Sequence, residues 1–161
     1  MQLFTMSSLL HSSKQEIILD AIKSALERSD EAMIWKLKCP LYVEAILSVL
    51  IPLRDQHLLF DPEGNPHDSL DKELFLRWCD LLSLKTLAFT LSKSNQEKRL
   101  SRTKYPSNTS YVPIDLEKLG SYLSQCSISL ENESLDFPIS NYNLHVGITS
   151  LISNILEGTY K

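Results

Sequence analysis

The stretch PLYVEAILSVLIPL, Pro40 to Leu53, decides the fold. Only Glu44 and Ser48 interrupt its apolar side chains, and they stand four residues apart. Val43, Ile46, Val49 and Ile51 are β-branched and suit a buried strand. Length and the leading proline favour a helix, because a proline in the first turn lacks an N–H that would be unsatisfied there anyway. A helix that is apolar nearly all round belongs in the middle of a bundle. From Leu41 to Leu53 it would span roughly 18–20 Å, well short of the about 30 Å core of a bilayer. A central, non-membrane helix is therefore expected.

Working outward, the pattern stays helical. Ser13 and Glu16 have the spacing of a capping box. Ile17, Ile18, Ala21, Ile22, Ala25 and Leu26 follow as one stripe, which predicts a helix over about 14–28. Ser29 and Asp30 can cap a second helix over 31–38, in which Ala32, Met33, Ile34, Trp35 and Leu37 leave little polar face. On the other side, Pro52 ends or kinks the central helix, a turn of helix follows within 53–60, and DPEGNP at 61–66 is a loop. Asp68 or Ser69 can cap one long helix over about 70–92. Further helices are expected over 114–126 and 141–157, with a loop at 129–138 between them and Gly158 as a left-handed cap. The fold class is all-α: one domain over 1–161, a compact bundle of five to six helices with one long helix near 70–92.

The composition excludes several functions. Four glycines are few for a phosphate-cradling or tightly turned catalytic loop. No P-loop, GxGxxG, GxSxG or HExxH occurs. Cys39, Cys79 and Cys126 are odd in number and widely spaced, which predicts buried thiols in a reducing, cytoplasmic compartment. The N-terminus has no basic residue before its short apolar stretch, a poor signal peptide, so the sequons at Asn108 and Asn132 are read as chance. His57 with Asp61, and His67 with Asp71, have metal-ligand spacing, but no third ligand is evident. No catalytic residue, metal site or cofactor is expected.

The charge is segregated. Residues 1–92 hold 9 basic and 13 acidic side chains, residues 93–104 hold 5 and 1, and residues 105–161 hold 2 and 6. Lys93, Lys98, Arg99, Arg102 and Lys104 can hold a phosphate backbone, and Tyr105 can stack on an exposed base. The same cations can instead complement a helix C-terminus or meet an acidic protein surface. The leading expectation is a non-catalytic helical subunit of a nucleoprotein assembly, contacting RNA or single-stranded DNA without reading sequence. In size and architecture this is analogous to the small helical subunits of RNA-guided effector complexes, although no residue motif carries that analogy. The alternative is a protein-only adaptor or chaperone-like subunit that docks other subunits through Met33 and Trp35, with Ile34 and Leu37 around them.

Overall fold

The computed structural model describes residues 6–92, 112–126 and 139–157. Among them the chain forms seven helices: α1 (Met6–Ser12), α2 (Gln15–Glu27), α3 (Met33–Asp55), α4 (Lys72–Arg77), α5 (Leu81–Thr90), α6 (Glu117–Gln125) and α7 (Ile139–Leu156). The all-α reading holds. No described helix is long and apolar enough to cross a membrane.

The central stretch is helical, but it is longer than expected. α3 runs unbroken from Met33 to Asp55 with Pro40 and Pro52 inside it. The two expected helices, 31–38 and the one starting at Pro40, are therefore one. A proline inside a helix removes one N–H donor and crowds the carbonyl four residues back. Here the burial of Cys39, Tyr42, Val43, Ala45 and Ile46 around and after Pro40 outweighs that local cost. α3 is about 35 Å long and packs against α2, α6 and α7.

α2 buries Ile18, Ile22, Ala25 and Leu26 of the expected stripe, but Leu19 is buried in place of Ile17, which is 51% exposed. Its expected capping box does not form: Lys14 stands at the N-cap position with no side-chain hydrogen bond. Arg54, near the end of α3, ties α1 down by donating to the Leu10 carbonyl at 2.8 Å.

The expected long helix over 70–92 is two helices. Asp71, rather than Asp68 or Ser69, caps α4 by accepting from the Leu74 N–H at 2.8 Å. Asp80 then adopts extended backbone and caps α5, accepting from the Ser83 N–H at 3.3 Å. The continuous apolar pattern concealed this break, because Trp78 and Cys79 at the joint are buried like the helix interiors on either side.

α6 is held along the middle of α3, from Glu44 back to Lys38. The Gln56 side chain clamps residue 112, donating to the Val112 carbonyl at 3.0 Å and accepting its N–H at 2.7 Å. Lys118 pairs with Glu44 at 3.6 Å. Tyr122 packs on Tyr42 with ring centroids 5.1 Å apart. α6 therefore runs antiparallel to α3. α7 packs against both α3 and α6, and Gly147 lies under the Trp35 ring. A Cβ built at Gly147 would stand 2.6 Å from Trp35 Cη2, so only glycine allows this approach.

Candidate functional site

The expected phosphate contacts, Lys93, Lys98, Arg99, Arg102, Lys104 and Tyr105, all lie outside the described residues. Three other groups of side chains are candidates for function.

The first is the 60–67 loop. Gly64 turns it with φ 89°, a conformation that strains any side chain. Asp61 sits buried beneath it. Its Oδ1 accepts the Glu63 and Asn65 N–H groups at 3.0 and 2.9 Å. Its Oδ2 accepts from His67 Nε2 at 2.9 Å and Arg77 Nη1 at 3.3 Å. Burial pushes the carboxyl pKa up, but His67, the two backbone amides and Arg77 outweigh it and hold the group well below the usual carboxylate range. Arg77 also pairs with Glu63. Trp78 Nε1 donates to the Phe60 carbonyl at 2.9 Å, which joins the loop to the core. A carboxylate whose lone pairs are already taken is a poor base or metal ligand. Asp61 is a loop clamp. The metal pairs suggested by spacing are regrouped: His67 meets Asp61, while Asp71 caps α4. Among the described residues no group of three or more His, Cys, Asp or Glu could hold a metal ion.

The second is a buried cluster at the junction of α3, α6 and α7. His145 is 2% exposed. Its Nε2 lies 2.5 Å from the Cys79 carbonyl, which can only accept, so Nε2 carries the proton. Nδ1 is then the acceptor, and Tyr122 donates to it at 2.7 Å. This satisfies the carbonyl freed where α4 stops. Burial lowers the His145 pKa, opposed by the Cys79 carbonyl and Asp80, so the imidazole is neutral at pH 7. The Tyr42 ring meets it edge-on at 5.1 Å. Tyr42 Oη is buried without a well-formed hydrogen bond, beside the Cys79 thiol. Burial, with Cys79 nearby, pushes the Cys39 thiol up to about 12, and burial takes Cys79 to about 12 as well. Thiols that remain protonated at neutral pH are weak nucleophiles. The cluster has the residue types of a catalytic site without an activated nucleophile or a free base. In the sequence its only sign is a lone histidine between Leu144 and Val146 on an apolar helix.

A cavity of about 40 Å3 opens next to this cluster, lined by Lys38 and Leu41 of α3, Tyr122 and Gln125 of α6, and Leu144 and Ile148 of α7, among others. It has room for roughly three waters, or the end of one aliphatic side chain.

The third candidate is the outward face of the first half of α3. Met33 is 67% exposed, Ile34 49%, Leu37 64% and Leu41 52%. At 100° per residue, Met33, Leu37 and Leu41 lie in one row, and Ile34 borders it. The row continues into Glu44 and Ser48, where it turns polar. Trp35 is on another side of the helix, partly buried against the core and over Gly147. The structure therefore separates the two expected docking residues: Met33 lies on the open row and Trp35 on the packed side. Leu41 and Lys38 join the row and its cavity, which the sequence did not indicate because the residues facing them come from α6 and α7.

Compared with family models, curated proteins and solved structures, the chain matches none.

Proposed function

We propose that the protein is a non-catalytic interaction subunit that docks a protein partner through the outward face of α3. One observation carries this reading: four large aliphatic side chains, Met33, Ile34, Leu37 and Leu41, are each about half exposed or more along one helical row. Scattered exposed apolar residues are ordinary, but a contiguous row is a mark of an interaction site. The polar clusters point the same way, since the Asp61 carboxylate and both His145 ring nitrogens are taken up by internal hydrogen bonds.

The test is a photo-crosslinking residue placed at Leu37, with Ile17 as the control. Ile17 is also an exposed aliphatic side chain, 51% accessible, on α2. The expected result is a discrete crosslink from position 37 to another protein in the cell of origin, with none from position 17. The purified pair should then associate, and Leu37→Glu should abolish the association. Equal crosslinking from both positions would contradict the reading.

The charge segregation supports a second reading, in which the same subunit contacts the phosphate backbone of RNA or single-stranded DNA through 93–104. Five phosphate contacts on a single strand would give a slope of roughly −3.5 for log K against log salt. Changing Lys98, Arg99, Arg102 and Lys104 to Gln should flatten the slope to about −0.7. Absence of binding at low salt would remove this reading and leave the docking face unaffected.

A further inference from the structure

We infer that the partner of the α3 face is an acidic amphipathic helix that takes up the line of α6 where α6 ends and seats one aliphatic side chain in the cavity beside Lys38. This inference rests on the docking reading above and adds the chemistry of the partner.

α3 and α6 differ greatly in length. α3 has 23 residues and α6 has nine, or about 35 Å against about 14 Å. α6 begins beside Glu44 and ends at Gln125, which faces Lys38 and Leu41 across the cavity. Leu41 therefore stands beside the last turn of α6, and the row from Leu37 back to Met33 lies beyond its end. The bare positions, 33, 34, 37 and 41, have the spacing by which one helix receives another. Leu41 both ends the bare row and lines the cavity, so a partner side chain that enters there is continuous with the row.

The charge beside the row selects the partner. Lys36 and Lys38 flank Leu37 on opposite sides. Lys36 makes one long contact, 3.4 Å, to the Glu27 carbonyl at the end of α2. Lys38 lines the cavity. Neither forms an ion pair among the described residues. An apolar row bordered by two ammonium groups that have no carboxylate partner among the described residues is complementary to a helix with an apolar stripe and carboxylates beside it. It disfavours a second copy of this chain, because a two-fold contact pairs a patch with itself and would set Lys36 and Lys38 against their own counterparts.

Three labelled helical peptides test the inference. They share one leucine row and differ only in the residues beside it, which are Glu, Gln or Lys. The Glu-flanked peptide should bind the full chain about tenfold more tightly than the Gln-flanked one, and the Lys-flanked one should be weakest. The double variant Lys36→Glu, Lys38→Glu should reverse that order, and Leu37→Glu should abolish binding of all three. These positions are all at least partly exposed, so the fold is not at stake. If the three peptides bind equally and through Leu37, the docking face stands and the acidic partner is overturned. If none binds, both are overturned. Dimerisation of the chain that Leu37→Glu removes would assign the face to a second copy and also overturn the inference.

Discussion

The two halves of α3 are both mostly apolar and have opposite surroundings. From Tyr42 to Leu53 every aliphatic and aromatic side chain is buried. From Met33 to Leu41, one side of the helix packs through Trp35 and Cys39 while the other holds four exposed aliphatic residues. Burial is decided by the neighbours: α6 runs back along α3 from Glu44 and ends level with Lys38, so Met33, Ile34 and Leu37 lie past its end. An apolar helix that outruns its cover within its own chain is suited to be covered by another.

A matched pair of leucines makes the comparison quantitative. Leu47 is fully buried and Leu37 is 64% exposed, on the same helix. Leu47→Ala should destabilise the protein by about 2–5 kcal/mol, from lost burial and the cavity left behind. Denaturant unfolding would show this as a lower midpoint. If the two leucines prove equally costly to truncate, the halves do not differ and the comparison fails.

Gly147→Ala probes the packed side of the first half. The new methyl would meet the Trp35 ring, so a loss of about 1–3 kcal/mol is expected. Trp35→Leu in the same chain should remove most of that loss, since the two residues are in direct contact. A full loss in both backgrounds would mean that the close approach is not what requires glycine.

The seam between the halves is the His145 cluster. Tyr122→Phe leaves His145 Nδ1 buried without a donor and should cost about 1–3 kcal/mol. The same site gives a pH dependence. His145 has a lowered pKa in the folded state, so below pH 6.5 the unfolded chain binds more protons. Its contribution is complete above pH 6.5 and is lost as the pH falls through that value toward the folded pKa. His145→Gln should flatten the stability curve in this window, measured against its own value at pH 7.5. Asp61, whose folded pKa is lowered, behaves differently. Its contribution is complete above the unfolded value of 3.8 and is lost only as the pH falls below it, so it does not mask the effect of His145.

The smallest effect is expected at the bare row. Leu37→Ala should change stability by less than about 0.5 kcal/mol. A larger loss would mean that Leu37 is packed within the monomer rather than held open for a partner.

The sequence made the fold class legible because the evidence for it is local. Helical periodicity at Ile17–Leu26 and the density of apolar residues at Leu41–Leu53 survive without knowledge of any neighbour. The breaks were less legible. Pro40 reads as a start, but buried packing carries the helix through it, and Asp80 reads as a polar residue on a long helix, but it caps a new one. The site was legible in part. Met33, Ile34 and Leu37 stand out as apolar excess, yet only the end of α6 shows which of their surroundings are open. The His145–Tyr122–Cys79 link spans three distant segments and has no signature in any one of them.

Thiol labelling tests the docking face most directly. The native cysteines Cys39, Cys79 and Cys126 are all buried, so a maleimide should react with them slowly. Leu37→Cys and Ile17→Cys each add one exposed thiol, on the bare row and away from it. Both should label readily in dilute purified protein. In intact cells of origin, the thiol at position 37 should be protected and the one at position 17 should remain reactive. Labelling at position 37 as fast in the cell as in the purified protein would show that nothing covers the row, and would contradict the account.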